Sequence, residues 1–215
     1  MAFGEVGTAL SKIKSPAVNL ADTFAFSGTV TGFDKTSLTL LSTFTSDGSD
    51  DNATFSDSII TDAYDEYLFI FNSIHPQTDG VFLTCQFNAV GAADFNETIT
   101  STFFQSYHKE NNSSTELAYS ASDDQAQGTA FNRLTATIGS DADQCASGTM
   151  RLYNPSSTTF VKHFTSEVCI TQSGDSIMDL FVAGYVNTTA AIDEIQFKMS
   201  SGEIQGGTIS VFGVA

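Results

Sequence analysis

Three histidines are the side chains in this sequence that could act as a base near neutral pH. A Ser or Cys nucleophile would need an imidazole such as that of His75, His108 or His163 beside it. His75 stands before Pro76 in a turn, His108 starts a polar loop, and His163 lies on a strand-like segment facing solvent or an interface. No G-x-S-x-G sequence supplies the strained turn of the common hydrolases. We therefore predict no catalytic residue and no enzyme activity.

Adjacent carboxylates form the second set of reactive groups. Asp65 and Glu66 are sequence neighbours, and so are Asp193 and Glu194. Glycoside cleavage requires two carboxylates a few ångströms apart across a cleft. Neighbouring residues on a strand point to opposite faces of the sheet. The spacing therefore favours solvated acids, with a glycosidase pair as the alternative.

Two polar loops are rich in the oxygen ligands that calcium prefers. The candidate ligands are Asp47, Asp50, Asp51 and Asn52 in the first loop and Asp141 and Asp143 in the second. The first loop lacks the ligand spacing and the bidentate Glu of an EF-hand. We predict solvated loops and no metal or cofactor, with Ca²⁺ as the alternative.

The chain has three cysteines, Cys85, Cys145 and Cys169, without a C-x-x-C spacing. An odd number in this arrangement disfavours a zinc site or a full disulfide framework. Cys85 and Cys169 fall in strand-like segments, which predicts small buried side chains in a reducing cell. A bridge between Cys85 and Cys169 is the alternative.

Four tyrosines near asparagines could form a sugar-binding surface. They are Tyr107, Tyr119, Tyr153 and Tyr185. The chain contains no Trp, which weakens a site that stacks on sugar rings. Because tyrosines often lie with the ring half-buried and the hydroxyl in water, half-buried sheet residues are the simpler interpretation.

The charge of the chain lies entirely in its body. The 215 residues carry a formal charge of −17, and the first 35 residues sum to zero. An acidic body repels nucleic-acid phosphates and anionic membranes, which predicts no nucleic-acid partner. Neither a signal-peptide pattern nor an apolar run of roughly 20 residues occurs. We therefore expect no membrane insertion and folding in a cytosol.

Apolar residues with a two-residue period, separated by turns, fill the chain after residue 38. Residues 67–71 form one such strand, and residues 81–87 are expected to return as its partner after a turn at Pro76. No long helical period occurs in this part. Many short strands with turn signals predict an all-β fold, an antiparallel β-sandwich of jelly-roll-like character over residues 39–215.

The two ends of the chain differ in regularity. Residues 195–199 and 208–214 alternate, and we expect them to form a closing hairpin around a turn that contains Gly202, Gly206 and Gly207. Residues 1–38 are the least regular, and we predict an N-terminal arm for attachment or oligomerisation. A disordered terminus is the alternative for this segment.

Three sequence blocks occur in a familiar order. They are YDEY followed by IHPQTD within residues 64–79, LYNP at residues 152–155, and SGEIQGGTI at residues 201–209. With these blocks the chain resembles a family of virion-associated proteins and fibre modules from marine tailed bacteriophages. The resemblance covers about residues 40–215 and leaves out the N-terminal arm. It departs at Phe212, where Tyr is usual before the glycine.

The resemblance implies a structural virion protein that decorates the capsid or forms part of a fibre. It further implies a homotrimer, contact with capsid or tail proteins, and location in the virion after assembly in the host cytoplasm. No catalytic residue is transferred. The alternative is a lectin-like module that binds a glycan or receptor on the host surface at an appendage tip.

Overall fold

The computed structural model describes residues 37–215, so the predicted N-terminal arm lies outside the described residues except for its last two positions. Within this part the chain forms twelve strands in two antiparallel sheets and no helix. The strands are β1 (Leu38–Thr45), β2 (Ala53–Phe55), β3 (Glu66–Pro76), β4 (Leu83–Ala89), β5 (Ile99–Lys109), β6 (Thr115–Tyr119), β7 (Asn132–Arg133), β8 (Ala146–Tyr153), β9 (Lys162–Gln172), β10 (Ser176–Val186), β11 (Ile192–Met199) and β12 (Ile204–Val214).

Strands from the first half of the chain pair with strands from the second half, so that together they form one long antiparallel ribbon folded over on itself. β1 pairs with β12, β2 with β11, β3 with β8, and β4 with β7. These strands alternate between a small sheet, ordered β2-β11-β4-β7, and the first half of a large sheet, ordered β1-β12-β3-β8. Two inserted hairpins, β5–β6 and β9–β10, continue the large sheet as β9-β10-β5-β6. We call these four added strands the extension.

The inner face of the large sheet follows directly from alternation. In β9 the side chains of Phe164, Ser166, Val168 and Ile170 are buried, while those that alternate with them are exposed. Lys162 continues the buried row, and its ammonium donates hydrogen bonds to the carbonyl oxygens of Thr188 and Ala190. Burial lowers the pKa of this ammonium, and the negative charge of Glu97 opposes that shift. The two carbonyl oxygens and Glu97 together favour the charged form.

β4 is buried on both faces. Leu83 and Phe87 face the core, while Gln86 faces away from it and is also fully buried. The Gln86 side-chain amide lies 3.0–3.1 Å from the carbonyl oxygens of Glu97, Thr129 and Ala130. This amide therefore holds two loop segments over the outer face of the small sheet.

A single apolar cluster between the sheets forms the core. At its centre Phe197 of β11 meets three rings edge-on: those of Phe69 and Phe71 at 5.3 Å and that of Phe55 at 6.2 Å between centroids. Edge-to-face pairs are a favoured aromatic geometry. Phe197 thus joins β2 and β11 of the small sheet to β3 of the large sheet.

The predicted all-β antiparallel sandwich is confirmed. The expected pairing of residues 81–87 with residues 67–71 is wrong, because β4 pairs with β11 and β7 in the small sheet while β3 lies in the large one. The turn after Pro76 carries the chain from one sheet to the other. Apolar alternation indicates a strand but does not indicate the sheet to which it belongs.

The predicted closing hairpin is also wrong, for the same reason. β11 lies in the small sheet and β12 in the large one, so the two strands do not pair. Gly202 lies in the turn between them with a φ of +68°, as expected for a turn glycine. Gly206 and Gly207 lie inside β12, where the pairing with β3 is irregular. Gly207 has a φ of +99° at this irregularity.

Candidate functional site

A row of aromatic side chains crosses the outer face of the extension. Phe181 in β10, Phe104 in β5 and Tyr119 in β6 are direct register partners. The rings of Phe104 and Phe181 stack with centroids 4.9 Å apart and planes 10° from parallel. Phe104 points outward because Phe103 is fully buried in the core and neighbouring strand residues face opposite sides.

Two aliphatic side chains enlarge this row into an apolar surface. Leu117 in β6 is 75 % exposed and Ile177 in β10 is 49 % exposed. The registers place both on the same face as Phe104. We call Phe104, Leu117, Tyr119, Ile177 and Phe181 the outer patch. Exposed apolar groups that gather on one face mark a contact surface.

A groove of about 270 Å³ lies beside the stacked pair, over the middle of the large sheet. The hydroxyl-bearing residues Thr149 and Thr165 line it together with Arg151 and Glu167. The Arg151 guanidinium forms an ion pair with Glu66 of β3. The groove therefore offers a flat apolar wall, hydroxyl groups and both signs of charge to a ligand or a neighbouring protein.

The loop that follows β6 is held at one end of the outer patch. The Tyr119 hydroxyl donates a hydrogen bond to Asp124, and this bond raises the pKa of the phenol because its ionisation would lose the bond. Arg133 forms an ion pair with Asp123, and its guanidinium lies 4.0 Å from the centre of the Phe82 ring. These contacts hold Asp123 and Asp124 of the loop to β6 and β7, the strands that flank it.

The three histidines lie on different strands and do not converge. Nδ1 of His75, at the end of β3, lies 2.6 Å from the carbonyl oxygen of Gln144 and donates to it. Nε2 of His108 lies 3.0 Å from Oδ1 of Asn112 in the loop after β5. His163 is exposed on the outer face of β9. The three imidazoles therefore do not share one site, and in the part of the chain that the structure describes none of them is hydrogen-bonded to a serine hydroxyl or a cysteine thiol.

The predicted carboxylate pairs have different surroundings. Asp65 is exposed before β3, whereas Glu66 is the partner of an ion pair on the outer face. The pairing of β11 with β4 is irregular at Asp193. Burial, and then the neighbouring charge of Glu194, raise the pKa of Asp193. The prediction that these two carboxylates face opposite sides assumed a regular strand, and β11 is irregular at Asp193.

We expect Asp193→Asn to raise the melting temperature at neutral pH by about 1–3 °C. The native pKa of Asp193 lies above its ordinary value of 3.8. Ionised Asp193 therefore lowers stability, and this cost appears as the pH rises through the native pKa. The gain should vanish below the ordinary pKa, where the wild-type carboxyl is protonated in both states. Thermal unfolding followed by circular dichroism across this pH range measures it.

Asp141→Asn is the matched control for this change, because it removes one negative charge from an exposed loop position. We expect its effect on the melting temperature to be smaller at neutral pH. A gain for Asp193→Asn that stays constant down to the lowest pH would contradict the assignment.

The acidic loop before β2 uses its oxygens internally. The Asp47 carboxylate accepts hydrogen bonds from Ser49, the Asp50 carboxylate accepts one from the backbone N–H of Asp47, and Asn52 accepts one from Thr54. Both aspartates of the second candidate loop are exposed. In residues 37–215, no group of three or more His, Cys, Asp or Glu side chains is placed to hold a metal ion.

The three cysteines are free thiols. Cys85 is fully buried, which confirms the prediction for this residue, and burial raises the pKa of its thiol. The same prediction is wrong for Cys169, which is exposed on the outer face of β9. The alternative bridge between Cys85 and Cys169 is not formed, because Cys85 faces the core from the small sheet.

Three of the four candidate tyrosines are half-buried, as in the simpler interpretation. Tyr107 packs against the core, and Tyr153 and Tyr185 lie on either side of β9 on the outer face. Tyr119 alone is more than half exposed. The structure therefore does not gather the four tyrosines into one site.

Sequence reasoning missed Phe104, Phe181 and Leu117, which form most of the outer patch. A signal for the first was present, because two consecutive phenylalanines in one strand cannot both face the core. No comparable signal marks Leu117, whose exposure follows from the position of β6 at the sheet edge.

Comparisons with known proteins give no match: no protein-family model, no curated protein and no solved structure is similar to the chain. Within residues 37–215 there is no helix with the length and apolar character that crossing a membrane requires. A function for the outer patch must therefore be argued from the chain's own residues.

Proposed function

We propose that the chain is a structural protein of a bacteriophage virion, either a capsid-decorating protein or part of a fibre. The observation that carries this proposal is the order β1-β12-β3-β8 opposite β2-β11-β4-β7. We interpret this order as a jelly roll, in which a folded ribbon places successive strands in two sheets. Jelly rolls occur in viral capsid and lectin domains, and the sequence blocks resemble those of phage virion proteins.

The extension supports an assembly role within this proposal. Its two hairpins are insertions in the ribbon, and they carry every residue of the outer patch. Insertions on a rigid scaffold are where proteins place their contact residues. Packing the patch against a capsid or tail protein would remove its apolar side chains from water and stabilise the particle.

The remaining parts of the proposal follow from the resemblance. The protein would associate with copies of itself, as a homotrimer by analogy with fibre modules, and would reside in the virion after assembly in the host cytoplasm. Residues 1–38 would attach it to the particle. It would act without catalysis, so incubation with capsular or O-antigen polysaccharides should release no product.

Mass spectrometry of purified virions tests the main proposal, which predicts many copies per particle. Replacing both Phe104 and Phe181 with Ser should reduce incorporation about tenfold or more, since each ~1.4 kcal/mol of lost contact energy is a factor of ten. Phe160→Ser is the control, because Phe160 is 69 % exposed but lies in the loop before β9. Virions that contain no copy would contradict the proposal.

A second candidate function, glycan or receptor binding, is favoured by the groove beside the stacked rings. A flat apolar wall next to Thr149, Thr165 and Arg151 is suited to a sugar, whose faces are apolar and whose edges carry hydroxyls. Glycan-array binding that Phe181→Ala abolishes and Tyr153→Phe retains would support this function. Binding that survives the loss of Phe181 would exclude this groove as the site.

A further inference from the structure

β6 leaves the large sheet with an open edge. The bonds from Lys109 N–H to Ser114 C=O and from Ser120 N–H to Phe103 C=O flank β6 and fix its hydrogen-bond alternation with β5. The even-numbered residues of β6 bond to β5, and the odd-numbered residues direct their backbone groups away from it. The outward-directed residues are Thr115, Leu117 and Tyr119. Among residues 37–215, none of their backbone groups has a hydrogen-bond partner.

The β6 edge has few of the features that usually prevent an exposed edge strand from pairing with another molecule. Lysines, prolines and bulges normally prevent the pairing of edge strands between molecules. β6 has the sequence TELAY, with neither Lys nor Pro, and its ladder with β5 is unbroken. Its single charge, Glu116, faces the side of the sheet opposite Leu117. The edge therefore combines free backbone groups with exposed apolar side chains.

We propose that β6 pairs with β6 of a second copy of this chain about a two-fold axis at Leu117. In this antiparallel register Leu117 faces Leu117 of the second copy, and Thr115 faces Tyr119 of the second copy. All three outward-directed residues then form hydrogen-bonded pairs, each with two backbone bonds. The two large sheets become continuous, and the two outer patches adjoin on the same face.

This register keeps the carboxylates from facing each other, and the match of the strand to itself identifies a second copy as the occupant. The register places Glu116 opposite Ala118 of the second copy, so no carboxylates lie directly across the new ladder. A two-fold axis moved to Glu116 would set two carboxylates face to face, which destabilises a strand pair, and would lose one hydrogen-bonded pair. The strand is thus matched to itself in backbone bonds and in apolar contact, and it places no like charges directly opposite each other.

The contact is expected to be weak and to strengthen with salt. A five-residue strand covers less than the roughly 800 Å² per partner of a stable complex, so we expect a Kd on the order of 10–100 µM. The two Glu116 carboxylates are diagonal neighbours about 7–8 Å apart, and each chain carries a charge of −17. Salt screens both repulsions.

This inference goes beyond the proposed virion role, which does not specify the strand through which copies of the chain contact each other. A two-fold contact predicts an even number of copies, whereas the analogy with fibre modules predicts three. Dimers of a protein that is absent from virions would support the edge contact and contradict the virion role. The two proposals can therefore fail separately.

Sedimentation equilibrium of the full chain over about 1–500 µM tests the contact. We expect a reversible dimer that Leu117→Lys weakens at least tenfold, because the change places two ammonium groups face to face, and that Glu116→Gln strengthens. Phe160→Lys, at an exposed apolar position away from β6, should leave the Kd unchanged. A monomer at every concentration, or an oligomer that Leu117→Lys does not weaken, would overturn the proposal.

Cross-linking tests the register independently. Leu117→Cys, in a chain with Cys145→Ser and Cys169→Ser, should give a covalent dimer with a short bismaleimide. Phe160→Cys in the same background should give little. A reversible dimer that does not cross-link through position 117 would overturn the two-fold register at Leu117.

Discussion

Phe197→Ala is expected to lower the free energy of unfolding by about 3–5 kcal/mol. Phe197 is fully buried and packs edge-on against Phe55, Phe69 and Phe71. The substitution opens a cavity between the two sheets and removes three aromatic contacts at once. Urea unfolding monitored by circular dichroism should show a large fall in the midpoint, with little change in the slope.

Phe160→Ala is the control for this loss, because the same atoms are removed from a side chain that is 69 % exposed. We expect its effect to stay within about 0.5 kcal/mol. Equal effects of the two substitutions would mean that the aromatic contacts between the sheets do not hold the sandwich together.

Gly207→Ala is expected to cost about 2–4 kcal/mol of stability. Gly207 has a φ of +99°, a conformation that disfavours any residue with a Cβ. An added Cβ would also lie 2.5 Å from the carbonyl oxygen of Ser73 and 2.8 Å from that of Asn72. Since both atoms belong to the backbone of β3, relief requires the ladder between β12 and β3 to move.

Gly206→Ala gives a matched comparison one residue earlier. Its φ is not positive, and an added Cβ would meet no atom closer than the Cβ of His75 at 3.6 Å, an ordinary contact. We expect this variant to unfold within about 1 kcal/mol of the wild type. If Gly207→Ala were as stable as Gly206→Ala in urea, the close approach of β12 to β3 would be wrong.

The fold class could be predicted from the sequence because local alternation determines strand formation. The runs that became β4, β9 and β11 carry most of their apolar residues at every second position, and no long helical period occurs after residue 40. The assignment of strands to sheets could not be predicted, since it depends on pairings between distant segments. β11 and β12 adjoin in sequence, yet their ladder partners are β4 and β3 in different sheets.

The candidate site was harder to predict than the fold. Phe103 and Phe104 are identical in type, and only the register of β5 decides which one enters the core. Lys162 would be assigned to the surface by its charge, but carbonyl oxygens of the loop between β10 and β11 bind its ammonium at the start of β9. In both cases the outcome depends on tertiary partners, which composition and periodicity do not encode.

The amide of Gln86 has a consequence for how the chain can vary. The loop positions that it holds, Glu97, Thr129 and Ala130, contribute only their carbonyl oxygens. Every amino acid supplies that group, proline included. The covering loops can therefore accept wide substitution at these three positions without losing their anchor. In these three hydrogen bonds only Gln86 must keep its side chain. The sequence of the loops that it anchors can therefore change while the anchor is retained.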